Sequence, residues 1–384
     1  MTRVIDSDQH LFEPRDLWRR YADPGLRDDA LAILDDDAGH PWLTWRGRRL
    51  ALADVQTPGE TDAIGARRER VRRGLPPEAR YDDLLPAHYW DPLARLNELD
   101  ALGVDEAVLF PNYGLAWERV LDADLRALEA NMTAWNRWAL EVAEEGAGRL
   151  HPVAHLTLRD VAWLEAELAR LARGGVRLAM IAPALVDGLA LSHPSLDRAW
   201  AAFVENGVTP VFHVADQRRP FDDAWYTDAV DDDAPVVPVV ESVFLWTAPA
   251  LALTDLIVNG VLARRPDLRI GVVELSAVWV PLFLMMLDGG HDFVSGLDGR
   301  PAVRLDLRPS EYFRRQVRVS CFAYELPSRL IAQCGDLFMC CSDYPHSEGT
   351  ATPLADYRAP GRHGIAPDDH AGFFGGNVAG LLGR

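Results

Sequence analysis

Cysteine is scarce in this chain. The four in 384 residues (Cys321, Cys334, Cys340 and Cys341) all lie in its last fifth. None forms a CxxC pair, and the adjacent Cys340 and Cys341 would face opposite sides of a strand, so no disulfide framework is indicated. Reduced, buried thiols in a cytoplasmic protein are the expectation. The opening MTRVIDSDQH lacks the apolar core of a secretory signal. Long apolar runs are missing too: residues 242–254 run about 13 positions without a charge and contain Pro249, whereas a membrane span needs ~20. Positive charge is in deficit, with 39 Lys and Arg against 58 Asp and Glu, a net charge of −19. Such a surface repels phosphate backbones and anionic lipid, so nucleic acid and membranes are not expected partners. A small-molecule substrate is not excluded, because a local cation overrides the global field. The chain has no Walker-type loop, no GxGxxG after its first apolar run and no GxSxG elbow. Nucleotide binding and serine-hydrolase chemistry therefore find no support.

What the chain does have is enough apolar residue content, 48%, for a sizeable core. Eight short apolar runs alternate with amphipathic stretches: 4–8, 107–111, 151–156, 178–182, 209–214, 269–274, 317–322 and 337–342. Between them, 125–145, 161–172 and 196–205 carry apolar residues at three- and four-residue spacing, as in Leu128, Met132, Trp135, Trp138 and Val142. Eight strands alternating with helices predict a parallel sheet, and eight is the number that closes a (β/α)₈ barrel. We expect one domain over 1–384, distorted by an insertion at 28–86 that lies over the barrel mouth as a lid or substrate wall. Within it, PWLTWRGRRLAL from Pro41 predicts a hairpin turning at Gly47. The basic run 67–73 is read first as a solvated face and second as an anion-binding element. A second irregular segment, 216–238, follows the fifth run and is expected to border the pocket.

Barrel active sites lie at the C-terminal ends of the strands. Asp6, Asp8 and His10 are spaced by two at the end of the first run, a spacing that directs their side chains to one face. His213 lies near the end of the fifth run, Glu274 ends the sixth and Asp343 follows the eighth. Each alone is more often a cap or a hydrogen-bonded loop residue. Together they converge on one mouth, and carboxylates with imidazoles suit a divalent ion, zinc ahead of manganese.

Several segments resemble one family in order along the chain: IDSDQHLFEPRDLW, YWDPLARLNELDALGVDEAVLFPN, RLHPVAHLTLRD, GVTPVFHVAD, RRPDLRIGVVELSAVWVP, CSDYPHSEG and FFGGNVAGLLG. They resemble the amidohydrolase-related family typified by aminocarboxymuconate semialdehyde decarboxylase, within the amidohydrolase superfamily. The resemblance implies a distorted (β/α)₈ barrel, one divalent metal and a homodimer. It implies Asp8, His10, His213 and Asp343 as metal ligands, with Asp343 also able to shuttle a proton. The departure is Glu274, which stands where many decarboxylases of the family have histidine.

Glu274 as a general acid or base, aided by Asp343 and His213, makes a hydrolase the first reading. It would act on a small cyclic or aromatic acid or amide through activated water. The alternative is non-oxidative decarboxylation of an aromatic or semialdehyde carboxylate, and a third reading is a barrel retained as a scaffold. Asp6 is expected behind the ligands or as a cap. Glu13, Asn112, Tyr324 and His346 are pocket candidates, with Tyr113 and Glu325 beside them, His155 weaker and Trp279 a packing residue.

Overall fold

The computed structural model describes residues 2–226, 238–298, 303–359 and 364–384. Its strands are, in chain order, β1 (Ile5–Leu11), β2 (Ala32–Asp35), β3 (Pro41–Trp45), β4 (Arg48–Leu52), β5 (Glu106–Pro111), β6 (Leu150–His155), β7 (Leu178–Met180), β8 (Thr209–His213), β9 (Ile270–Val273), β10 (Val317–Cys321) and β11 (Phe338–Cys340). β1 and β5 to β11 pair in parallel, each with its neighbour in sequence order. The ring closes where His10 N–H donates to the Tyr344 carbonyl (2.7 Å) and Asp343 N–H to the Asp8 carbonyl (2.9 Å). The fold is the expected (β/α)₈ barrel. Each of the eight apolar runs is one of these strands, because a strand covered on both faces reads as a continuous apolar run.

Two apolar layers hold the barrel. Ile5, Val108, Val153, Met180, Val211 and Val273 fill its interior, and Val378, Leu381 and Leu382 complete that cluster. The C-terminal helix Asn377–Leu381 supplies this plug, and Thr209 Oγ1, at the start of β8, donates to the Leu381 carbonyl (2.7 Å). The N-terminal ends of the strands are thereby sealed. Outside, helix Leu125–Glu145 turns Leu128, Met132, Trp135, Trp138 and Val142 into the core, as its spacing predicts. Asp124 caps it by accepting the Ala127 N–H (3.1 Å). The apolar stretch Val239–Val258 reaches span length only as the sum of helices Val239–Phe244 and Thr247–Val258. The second of these buries Leu253, Leu256 and Ile257 in the core.

The insertion carries a three-stranded sheet, β2–β3–β4. Arg46 and Gly47, with φ of 49° and 77°, make the two-residue turn between β3 and β4. This segment lies on the loops at the C-terminal ends of the strands. Gly59 N–H donates to the Ser347 carbonyl (2.8 Å), Tyr113 OH to the Asp54 carbonyl (2.9 Å) and Tyr81 OH to the Glu13 carbonyl (2.7 Å). The basic run belongs to helix Thr61–Arg72, which buries no residue; Arg67 pairs with Asp54 (2.6 Å). Of the second irregular segment, 227–237 lie outside the described residues.

Candidate metal centre

The first strand does not alternate evenly. Its register with β5 slips between Asp6 and Gln9, so Ser7 and Asp8 together oppose Val108. This bulge re-aims the strand. Ile5 faces the barrel interior and Asp6 faces outward, where its carboxylate accepts from Gln9 Nε2 (2.9 Å) and from Ser342. After the bulge, Asp8 and His10 point inward. The expectation that Asp6, Asp8 and His10 share one face is therefore corrected. Asp6 stands behind the site, where it accepts from the backbone N–H groups of both Asp8 (3.1 Å) and Ser342 (3.0 Å) and ties β1 to the end of β11.

Five side chains from four strand ends meet inside the mouth. His10 Nε2 lies 3.0 Å from Asp343 Oδ1, 3.4 Å from Asp8 Oδ1 and 3.9 Å from Glu274 Oε2. His213 Nε2 lies 3.3 Å from Glu274 Oε2 and 3.5 Å from Asp8 Oδ1. A sixth group joins them: His346 stacks on His10 with ring centres 3.8 Å apart, and its Nδ1 is 2.8 Å from Asp343 Oδ1. These residues form two overlapping sets of four potential ligands, each set within 4.8 Å, sharing His10 and Glu274.

The tautomers follow from the hydrogen bonds. His10 Nδ1 donates to the Pro111 carbonyl (2.9 Å) and His213 Nδ1 to the Val214 carbonyl (2.7 Å), which leaves each Nε2 facing the carboxylates. Asp8 Oδ2, His10 Nε2, Glu274 Oε2, both Asp343 oxygens and His346 Nδ1 are buried without a well-aligned hydrogen bond, the imidazoles lying within ion-pair distance of Asp343 instead. Buried lone pairs of this kind need a positive charge among them. A divalent cation fits that donor set: three carboxylates and two imidazoles held to one tautomer by backbone carbonyls.

The electrostatics report the same deficit. Burial pushes the Glu274 carboxyl well above its ordinary range, and Asp343 and Asp8 push it further. Burial acts against Asp8 as well, but its bonds to His10 and His213 outweigh it and hold this carboxyl low. Burial opposes the charged form of Asp343 too, yet His346 and His10 bring it far down. The backbone is unusual at the two acidic strand ends: Glu274 and Asp343 have φ of 54° and 55°, a left-handed conformation that costs a non-glycine residue energy. Ser320 Oγ accepts the Glu274 N–H (2.9 Å) and Glu325 accepts the Ala277 N–H (2.8 Å), so β10 and the turn after it hold the strained backbone at Glu274.

The other candidates divide. Asn112 Oδ1 meets His346 Nε2 (2.8 Å), so both are at the site. Glu13 is not free to meet a ligand. Its carboxyl, pushed by burial to about 7, accepts from Tyr113 N–H (2.9 Å) and Gly114 N–H (2.8 Å) and holds the loop after β5. Tyr324 is 61% exposed and stacks on Phe322, near enough to the cluster for the charges of Glu274 and Asp343 to act on its hydroxyl. His155 turns to Glu118 (2.9 Å), and Trp279 packs in the core. Arg95 escaped the sequence reading. Fully buried, it donates to the carbonyls of His10 (2.7 Å) and His88 (2.6 Å) and to Gln9 Oε1 (3.0 Å), which fixes the strand end behind the ligands. Nothing in its helical pattern marks it, since an arginine in an amphipathic helix reads as surface.

Comparison with solved structures gives the same fold over the whole chain. An amidohydrolase from Mycobacterium avium subsp. paratuberculosis K-10 superposes with a TM-score of 0.76 at 23% identity, covering 99% of both chains. A 5-carboxyvanillate decarboxylase from Novosphingobium aromaticivorans DSM 12444, with bound manganese, gives 0.66 at 17% identity over 100% of this chain and 97% of that one. A 2,6-dihydroxybenzoate decarboxylase from Rhizobium gives 0.60 at 17% identity over 100% and 99%. No curated protein matches the sequence. The amidohydrolase family model matches residues 5–384, from the first barrel strand to the C-terminal plug. The chain belongs to the amidohydrolase family.

Proposed function

We propose that this enzyme is a metal-dependent non-oxidative decarboxylase of a small aromatic carboxylate. The observation that carries the reading is the cavity beside the cluster. It is lined by His213 and by Tyr226, Phe244, Leu245 and Leu275, with Arg218 and Arg219 beside them; the Arg219 guanidinium lies 4.1 Å from the Tyr226 ring and pairs with Glu241 (3.0 Å). Apolar and aromatic walls, with two arginines among the lining residues, suit a flat ring bearing a carboxylate beside the candidate metal centre. Similarity in fold to aromatic-acid decarboxylases supports the same class.

In this reading Asp8, His10, His213 and Asp343, drawn from the two overlapping ligand sets, hold one divalent cation, manganese ahead of zinc given the manganese in a structural relative. The cation supplies a Lewis acid for the oxygens of the substrate. Glu274, the one carboxylate of the cluster with measurable exposure (14% of its side chain), stands at the open edge. As the bond to the departing carboxyl carbon breaks, its electron pair stays on the ring carbon, and Glu274 delivers the proton that replaces carbon dioxide. His346 and Asn112 orient Asp343 from the far side. The four cysteines are free and buried, which supports a reducing, cytoplasmic setting.

Glu274 itself favours the second reading, hydrolysis of a small cyclic or aromatic amide, in which it removes a proton from water. Incubating the manganese- and zinc-loaded enzyme with carboxyl-labelled hydroxybenzoates and with cyclic amides separates the two. Labelled carbon dioxide is the expected product. Amide cleavage without it would establish the hydrolase instead, and a protein that binds neither metal would sink both.

A further inference from the structure

The insertion holds a cavity of its own, about 110 Å³ in volume, between β3, β4, helix Thr61–Arg72 and residues 77–84. None of its lining residues belongs to the metal cluster or lines the cavity at His213. Most of its wall is apolar: Pro41, Leu52, Val55, Pro77, Tyr81 and Leu84. An apolar cavity of about 150 Å³ inside a protein stays dry and takes up benzene. The cavity in the insertion therefore matches a single ring and little more.

The charged side chains on the wall cancel, with Arg67 and Arg70 against Asp54 and Glu78. Its donors are already engaged. Arg67 Nη1 donates to Asp54 Oδ1 (2.6 Å), and Arg70 donates to the Pro76 carbonyl through Nε (3.1 Å) and Nη2 (2.8 Å). His40 Nε2 donates to the Leu75 carbonyl (2.7 Å). What is left over is an acceptor: Asp54 Oδ2 is enclosed without a hydrogen-bond partner. Burial accordingly raises the Asp54 carboxyl, even with Arg67 beside it. An enclosed acceptor without a donor costs free energy, which a hydroxyl brought by a ligand recovers. A charged ligand gains less, because its own charge would find no free counterion among apolar walls. One ring and one neutral donor is the chemistry that fits.

We propose that the insertion carries a second small-molecule site, which takes a neutral single-ring phenol whose hydroxyl donates to Asp54. Asp54 and Tyr81 also hold the insertion on the mouth, through the Tyr113 hydroxyl (2.9 Å) and the Glu13 carbonyl (2.7 Å). Tyr113 follows Asn112, which meets His346, so an occupant is linked to the metal cluster through that loop. The inference rests on this cavity alone and holds whichever reaction the metal centre performs.

The test is a fluorine NMR titration of the full-length, metal-loaded protein with 4-fluorophenol. Wild type is expected to bind it, and Asp343→Asn, which disables the metal centre, should keep that binding. Ala79→Trp fills the cavity from its wall and should weaken binding by about tenfold or more, with circular dichroism to check its fold. Fluorobenzene, the same ring without the donor, should bind about tenfold more weakly than 4-fluorophenol in wild type. Asp54→Asn should remove most of that preference, and it decides the matter if Ala79→Trp fails to fold. Absence of binding, or binding that survives in Ala79→Trp and is lost in Asp343→Asn, would overturn the proposal. So would equal affinity for fluorobenzene and 4-fluorophenol, or a cavity that prefers the 4-fluorobenzoate anion.

Discussion

The barrel holds a buried carboxylate–histidine cluster at each end, and the two are neutralised in opposite ways. At the sealed end Glu106, on the first residue of β5, accepts from Arg384 Nη2 (2.5 Å), pairs with Arg3 and meets His151 Nε2 (2.5 Å). Burial alone would raise its pKa, but Arg384 and His151 more than offset that and hold it low. At the open end Asp8, Glu274 and Asp343 have, among the described residues, only imidazoles as ion-pair partners. The chain contains no lysine, so arginine is its only side chain carrying a permanent positive charge, and among the described residues none pairs with these three carboxylates. One end carries its own counterions; the other holds the candidate metal-binding set. Structural carboxylates are neutralised from within the fold, whereas those at a working mouth keep their lone pairs unmatched.

Substitutions at the two ends test that contrast. Asp343→Asn should have the largest effect, lowering bound metal from about one per chain to a trace and turnover on the order of 10³-fold or more. Elemental analysis alongside initial rates reads both, and full metal occupancy would refute the ligand role. Glu274→Gln should keep the metal and lose roughly 10²–10⁴-fold in kcat, with KM little changed. Loss of metal in that variant would move Glu274 into the ligand set. Ser342→Ala removes the hydroxyl that, with two N–H groups, holds Asp6 behind the ligands, and should weaken metal affinity by about 10–100-fold. A chelator competition titration measures it.

Glu106→Gln should leave metal and turnover intact and destabilise the fold by about 1–3 kcal/mol in urea unfolding. The pH dependence of that loss has a definite sign. The carboxyl of Glu106 is lowered in the folded state, so its contribution is complete above its unfolded value of about 4.3 and disappears as pH falls through the lower folded value. Wild type and Glu106→Gln should therefore converge in stability toward the acid end. A difference that persists at the lowest pH, or a loss of metal, would remove the contrast between the two clusters.

Most of the barrel was legible before folding. Strands covered on both faces must be apolar throughout, and helices packed on one side must repeat every three to four residues; both constraints act locally. Strand ends then mark the mouth, which is why Asp8, His10, His213, Glu274 and Asp343 could be picked out and are found together. Where reading failed, the deciding contact lay far off in sequence. Even spacing puts Asp6 with Asp8, yet a bulge against β5 turns it outward to Ser342, 336 residues away. Glu13 reads as a pocket acid until its oxygens meet the loop after β5, and Arg95 reads as surface until the chain buries it behind His10.

By itself, then, the sequence determined the barrel, its eight-strand order and the residue types gathered at its mouth, because periodicity and strand-end position depend on near neighbours. Only the tertiary structure decided which of those side chains face one another and which imidazole nitrogen is left bare. It likewise decided which carboxylates lack counterions and which side chains wall the cavity in the insertion. Those outcomes depend on close approaches between distant segments, and no local pattern encodes them.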